Sequence, residues 1–172
     1  MKYFIVILGS FMFCFGAQAL DISSTAFENG GYISAKYTCD SSDMSPPLFW
    51  HGVPDNTKSL VIICDDPDAA YESWVHWIIF NIPVTLDGLG ENMLKEKSLP
   101  KGIIQGMNDF GKIGYNGACP PAGKAHRYFF KLYALNTMLS ISGDDDLKKE
   151  NVVSAMQGHI LEETKIIGLY ER

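Results

Sequence analysis

The sequence is short of positive charge. It has 14 lysine and arginine residues against 20 acidic residues, which gives a formal net charge of −6. Nucleic acids and anionic membrane surfaces are held by clusters of cations, so this balance argues against either as a partner. An anion that binds this protein must therefore be held locally, by histidines, backbone N–H groups or a single cation.

Helical periodicity is also scarce, and the sequence shows no repeat, heptad or second domain. Only one segment, late in the chain, has apolar residues at helical spacing. It reads "DDDLKKENVVSAMQGHILEETK", with Leu147, Val152, Met156 and Ile160 on one face behind the capping acids Asp144 to Asp146. This segment predicts one substantial helix near the C-terminus.

Most of the remaining chain predicts β-strands. Short segments rich in β-branched and aromatic residues alternate with turn formers such as "ENGG" and "VPDNTK". The predicted strands are "YISAKYT", "SLVIIC", "WVHWIIFNIP", "HRYFFKLYAL" and "IIGLYER". The sequence therefore predicts a mostly β protein, a β-sandwich with a single late helix.

The first residues have the form of an export signal. After Lys2 comes an uncharged apolar run that ends in Ala17-Gln18-Ala19, the small-x-small pattern of a cleavage site. We expect residues 1–19 to be a cleaved signal peptide and the protein to be periplasmic or secreted. An uncleaved membrane anchor is the alternative, but the run is short for a spanning helix and polar residues follow at once. No transmembrane segment is predicted after cleavage.

Cleavage would leave residues 20–172 as a single domain with a full core. Three cysteines would remain, and an odd number in an exported protein means one bridge and one free thiol, or no bridge. Cys64 ends the predicted strand "SLVIIC" and is expected to be buried. Cys39 and Cys119 lie in predicted loops, so they are the candidate disulfide.

Polar residues collect at the predicted strand ends. Asp66 follows the strand "SLVIIC", and His126 follows a long stretch rich in glycine and proline between residues 100 and 126. Functional sites in β proteins commonly lie at strand ends beside long loops. Side chains alternate between the two faces of a strand. In "WVHWIIFNIP" this places four residues on one face: Trp74, His76, Ile78 and Phe80. In "HRYFFKLYAL" it places three residues on one face: His126, Tyr128 and Phe130.

Three motifs in this order resemble the phosphatidylethanolamine-binding protein (PEBP) family, also known through the Raf kinase inhibitor protein. They are "DDPDAAYESWVHW", "NDFGKIGYNGACPP" and "HRYFFKLYAL", and the resemblance to the bacterial and archaeal branch covers nearly the whole mature chain. The resemblance implies two packed, largely antiparallel sheets and a pocket for a phosphate, often that of phosphoethanolamine. It also carries over a set of ligand-binding residues: Asp66, Asp68, Trp74, His76, Gly117, His126 and Tyr128.

One departure and one limit accompany the resemblance. Ala70 stands where the family usually has proline, so the acidic turn is expected to be less rigid. Inhibition of a protein kinase is not carried over, because an exported protein would meet no such kinase.

The two acids cannot face a phosphate directly, because like charges repel. We expect one of them to accept the second N–H of a histidine and to favour its charged form, while the other meets an ammonium group. The histidines and the backbone N–H groups of the glycine-rich loop would then bind the phosphate. The predicted function is an exported protein that binds a phosphate or phosphoethanolamine-type group without a cofactor, with modulation of another protein left open.

Other functions remain open from the sequence. The acid and histidine set suits Zn²⁺ or Mn²⁺, although no tight metal-ligand spacing is present. A hydrolase would need a nucleophile beside His76 or His126, and Ser45, Ser73 and Cys119 are the candidates, although no "GxSxG" elbow occurs. An interaction module with a vestigial pocket is a further alternative. Both remaining histidines, His51 and His159, are expected to be surface or packing residues, with His159 on the late helix.

Overall fold

The computed structural model describes residues 18–141 and 147–172. These residues form nine strands and one α-helix, in the order β1 Asp21–Ser23, β2 Gly31–Tyr32, β3 Leu48–His51, β4 Ser59–Asp66, β5 Trp74–Ile82, β6 Gly88–Leu89, β7 Ile104–Gln105, β8 His126–Leu135, α1 Lys149–Met156 and β9 Ile160–Tyr170. Short 3₁₀ helices cover Ala35–Tyr37 and Pro100–Gly102. Most of the predicted leader and the predicted capping acids, Asp144 to Asp146, lie outside the described residues.

The strands form two sheets. The smaller sheet has the order β1-β3-β6, and the larger has the order β2-β9-β8-β4-β5-β7. Neighbouring strands are antiparallel except for the short parallel pair of β2 and β9. The predicted mostly β architecture of two largely antiparallel sheets is confirmed.

The main core lies between the two sheets. It contains Trp50 from the smaller sheet and Leu60, Ile62, Trp77 and Phe130 from the larger one, each almost fully buried. A second core covers the opposite face of the larger sheet, where helix α1 packs Val152 and Met156 against the strands. The central strand β4 is buried along its whole length because both of its faces are covered.

The predicted helix is present but short, which corrects one expectation. It ends at Met156, so Ile160 is not on its face, and Ile160 instead begins the eleven-residue strand β9. Gly158 has a φ of 76 degrees in the turn that separates the two elements, a conformation that glycine adopts without strain. His159 lies in this turn, after the helix, and is exposed as expected. Pairing with β8 from Leu135 onward outweighs the helical pattern.

A β-bulge corrects the expected alternation along β5. One step on β4, from Cys64 to Asp65, matches two steps on β5, from Trp77 to Val75. His76 is therefore an extra residue, and a bulge shifts every side chain beyond it to the other face. Ile78 and Phe80 pack in the core under helix α1, whereas His76 contacts Tyr128 in the core between the sheets.

The expected disulfide is present. Cys39 and Cys119 are bonded, and Cys64 is a buried free thiol. The bridge joins two loops that also share backbone hydrogen bonds, one of them from Cys39 N–H to the Ala118 carbonyl at 3.1 Å. Within the described ranges, no helix is long and apolar enough to span a membrane.

Candidate functional site

The site lies at one end of the larger sheet, where three strand ends meet. Strand β4 ends at Asp66, beside the starts of β5 at Trp74 and β8 at His126. The antiparallel pairing of β4 with both neighbours places these ends together. The predicted cluster of polar residues at strand ends is therefore one site in space.

Asp66 holds His126. The Nδ1–H of His126 donates to Asp66 Oδ2 at 2.7 Å, and both side chains are at least nine-tenths buried. The other carboxylate oxygen of Asp66 accepts the Asp68 backbone N–H at 2.8 Å. The expected role for one acid, orienting a histidine, matches this arrangement, which fixes the tautomer of His126 and directs Nε2 away from the carboxylate.

His76 is held by a backbone carbonyl. Its Nδ1 lies 2.8 Å from the carbonyl oxygen of Asn116, which can only accept, so Nδ1 carries the proton. Among the described residues, no carboxylate is hydrogen-bonded to this ring, and burial lowers the pKa of His76 below its usual range. The ring is neutral at pH 7, and its Nε2 is then a hydrogen-bond acceptor.

Tyr128 completes the buried wall of the site. Its ring packs edge-on against His76 with centroids 5.1 Å apart. The hydroxyl is buried and has no hydrogen-bond partner among the residues that the structure describes. Burial raises the pKa of Tyr128, so the group stays a neutral donor. An unpartnered buried hydroxyl is costly, and a bound polar ligand would satisfy it.

Asp68 does not face the histidines. Its carboxylate accepts two hydrogen bonds from the Arg127 guanidinium, at 2.8 and 2.9 Å, and a third from the Arg127 backbone N–H. Hydrogen bonds from that guanidinium lower the pKa of Asp68 to about 2. The expected role, in which the second acid binds an ammonium group, therefore differs from the one observed. Asp68 instead links the acidic turn to Arg127 of β8.

Gly117 has a steric role. A Cβ at this position would lie 2.5 Å from the Tyr37 carbonyl oxygen and 2.6 Å from the Cα of Thr38, so only glycine fits. Its N–H donates to Asp43 Oδ1 at 2.6 Å. This N–H is therefore already engaged within the protein. Gly117 allows the glycine-rich loop to pack closely against Tyr37 and Thr38.

Aromatic rings form the outer edge of the site. Trp74 and Phe110 are partly exposed, and their rings are perpendicular, with centroids 5.5 Å apart. The Phe110 ring also lies edge-on to His76 at 5.3 Å. Trp74 is therefore at the mouth of the site, whereas His76, His126 and Tyr128 are at its base.

The sequence analysis missed several supporting residues. Asn108 holds the loop through side-chain hydrogen bonds with Phe110, Lys112, Gly114 and Asn116. Asp43 holds it from the other side through Gly117 and Asn116. The motif "NDFGKIGYNG" signals a turn-rich loop, but the partner of each amide depends on tertiary packing.

The alternative chemistries find little support in these side chains. In residues 18–141 and 147–172, no three His, Cys, Asp or Glu side chains are grouped to hold a metal ion. The Cys119 sulfur is in the disulfide, and the Ser45 hydroxyl accepts a hydrogen bond from the Met93 N–H at 2.9 Å. Two of the three candidate nucleophiles are therefore engaged away from the histidines.

A separate cleft of about 780 Å³ opens next to the site. It is lined by residues 69–75, by Asp109, and by Lys149, Glu150 and Val153 of helix α1. Trp74 is its one residue shared with the predicted set, and the two site histidines are not in its lining. We assign the chemistry to the histidine site, where buried polar groups converge, rather than to this wider cleft.

Fold and site together define a small two-sheet β protein with buried polar groups at the strand ends. A family model described as phosphatidylethanolamine-binding protein matches residues 23–171. The UPF0098 protein of Methanothermobacter thermautotrophicus is 52% identical over 89% of this chain and 99% of its own length. This chain belongs to the phosphatidylethanolamine-binding protein family, as its motifs predicted.

Solved structures agree with this assignment. The crystal structure of YbcL from Escherichia coli, described as a member of the mammalian PEBP family, has a TM-score of 0.81 and 33% identity, and the match covers 90% of this chain and 99% of that one. A PEBP homologue from Chlamydia trachomatis has a TM-score of 0.80 and 37% identity, with 90% and 98% covered.

Proposed function

We propose that this protein binds a small phosphate-bearing ligand, of the phosphoethanolamine type, at the histidine site. The observation that carries the proposal is the convergence of two Nδ1-anchored imidazoles and an unpartnered tyrosine hydroxyl at one strand-end site. Each ring would offer Nε2 to the ligand, and Tyr128 would donate its O–H. The name of the family, phosphatidylethanolamine-binding protein, is consistent with this ligand class.

Proton uptake would accompany binding. In the empty site the buried His76 is neutral and its Nε2 lacks a proton. A phosphate dianion needs a donor there, so binding favours the protonated ring, or equivalently a protonated phosphate oxygen. The affinity is therefore expected to fall as the pH rises from 6 to 8.

The proposed role is binding rather than catalysis. Within the described part of the chain, the Cys119 sulfur is in the disulfide, and the Ser45 side chain is hydrogen-bonded to the Met93 N–H rather than to a histidine. Asp66 fixes His126, and a backbone carbonyl fixes His76. In these positions both rings can hydrogen-bond to a ligand through Nε2, and binding requires no nucleophile.

We also propose that the protein acts after export, in the periplasm or outside the cell. The leader-like residues 1–19 support export, and so does the disulfide, because such bonds form and persist in oxidising compartments. The ligand would then be met outside the cytoplasm.

Calorimetric titration with phosphoethanolamine tests the binding proposal. The wild-type protein should bind it, with about one proton taken up per ligand when the titration is repeated in two buffers of different ionisation enthalpy. The variants His126→Ala and His76→Ala should lose binding while their circular dichroism spectra stay native.

His159→Ala is the matched control, because this histidine is exposed and, among the described residues, its side chain is hydrogen-bonded only to Asn136. It should bind like the wild type. Absence of heat at every pH, in a folded wild-type protein, would reject the ligand and direct attention to protein partners.

A further inference from the structure

We propose that removal of the leader creates an ion pair between the new α-ammonium group of Leu20 and the carboxylate of Glu162. This inference rests on the proposed export, and it goes further by giving the new N-terminus a defined partner within the fold. The ion pair links the start of strand β1 in the smaller sheet to strand β9 in the larger sheet, and only the processed protein can form it.

The two groups are already in contact in the uncut chain. The backbone N–H of Leu20 donates to Glu162 Oε1 at 3.0 Å, across 142 positions of sequence. Leu20 is only 4% exposed, and its side chain belongs to the main core between the sheets. Glu162 is paired with Ala134 of β8, which is part of the same core. The Leu20 nitrogen is therefore fixed beside a carboxylate oxygen before its charge changes.

Cleavage after Ala19 changes the charge of this nitrogen. A leader peptidase hydrolyses the Ala19–Leu20 peptide bond with one water molecule. The hydroxyl of the water goes to the Ala19 carbonyl carbon, and its proton goes to the Leu20 nitrogen. At pH 7 the new carboxyl group then loses a proton and the new amine gains one. The hydrogen bond from an uncharged amide to Glu162 becomes an ion pair, in which both partners are charged.

A chain end in this position needs a partner for its charge. Chain ends usually lie at the protein surface in contact with water, whereas Leu20 is almost fully buried. A charged group that loses water without gaining a partner is strongly destabilising. Among the described residues, the Glu162 carboxylate is hydrogen-bonded only to Leu20, so its charge is available to the ammonium group.

The cut has to precede the packing of β1. In the folded chain Ala19 is exposed, but Leu20 on the other side of the bond is buried, and β1 begins at the next residue. The Ala19 carbonyl also lies close to Gly52, where a Cβ would be only 2.1 Å from its oxygen. Proteolysis needs an accessible segment of chain, so cleavage comes first and the ion pair forms as β1 packs.

A double-mutant cycle tests the inference. Intact-mass measurement first identifies the N-terminus of the exported wild-type protein. Denaturant unfolding then compares this protein with a second form that begins at Gln18, each with and without Glu162→Gln. Glu162→Gln should lower the equilibrium constant for folding about fivefold more in the protein that begins at Leu20, because there it removes an ion pair rather than an amide hydrogen bond.

Glu163→Gln is the matched control. It makes the same change of charge at the next residue of β9, whose side chain points to the opposite face of the sheet. Its effect should be equal in the two forms. A loss confined to Glu162→Gln in the processed protein supports the ion pair.

Several results would overturn the inference. Equal effects of Glu162→Gln in the two forms, with Leu20 confirmed as the first residue, would refute the ion pair and leave export standing. An exported protein that begins at another residue would do the same. A difference that Glu163→Gln reproduces would reveal a general effect of charge. Failure of the chain to be exported would remove the proposed export and the inference together.

Discussion

Replacement of both Cys39 and Cys119 with serine is expected to lower the free energy of unfolding by about 4 kcal/mol. The bridge joins residues 80 positions apart, so its loss frees a long loop in the unfolded chain. Denaturant unfolding of the wild type and the double variant, followed by tryptophan fluorescence, measures the difference.

Reductant provides the internal control for this prediction. Dithiothreitol should lower the stability of the wild type to that of the double variant and should leave the variant unchanged. The buried Cys64 should have no part in this response. Equal unfolding midpoints for oxidised and reduced wild-type protein would contradict the assigned bridge.

Asp66→Asn is expected to weaken phosphate binding by about tenfold, because a charge-assisted hydrogen bond to His126 becomes a neutral one. The substitution also removes an acceptor. Asp66 accepts from both His126 Nδ1 and the Asp68 N–H, whereas an asparagine amide has a single oxygen. One buried donor is left unsatisfied, so the free energy of unfolding should fall by about 2 kcal/mol. Titration calorimetry and denaturant unfolding measure the two effects.

Asp68→Asn is the matched control in the same turn. Asp68 pairs with Arg127, whose side chain is about half exposed, so this change should cost less than about 1 kcal/mol. Its phosphate affinity should remain that of the wild type. If Asp68→Asn weakened binding as much as Asp66→Asn does, the assignment of separate roles to the two acids would be wrong.

The sequence predicted the parts of this fold that depend on local patterning. Segments rich in β-branched and aromatic residues located the long strands β4, β5, β8 and β9. The predicted strand "YISAKYT" was wrong beyond Tyr32, because Ala35–Tyr37 form a 3₁₀ helix. The placement of two cysteines in loops and one in a strand identified the disulfide pair. Prediction failed where long-range pairing decides the outcome. Ile160 joined strand β9 rather than the helix, and a bulge at His76 changed which residues share its face.

For the candidate site as well, the sequence predicted which residues take part but not their long-range contacts. The motifs identified Asp66, His76, His126 and Tyr128, and the structure brings all four to one place. The partner of His76 could not be predicted, since Asn116 reaches it through loop packing. The partner of Asp68 could not be predicted either, since Arg127 reaches it through strand register. The hydrogen bond from the Gly117 N–H to Asp43 could not be predicted for the same reason, because the two residues are 74 positions apart.

The most direct test of the central claim is an NMR titration of the histidine ring nitrogens with inorganic phosphate. The chain has four histidines, so each resonance can be assigned by substitution. The account predicts that phosphate shifts the Nε2 signals of His76 and His126, with His76 changing from an unprotonated to a protonated nitrogen. His51 and His159 should not move. Unchanged signals for His76 and His126 at saturating phosphate would contradict the proposed site.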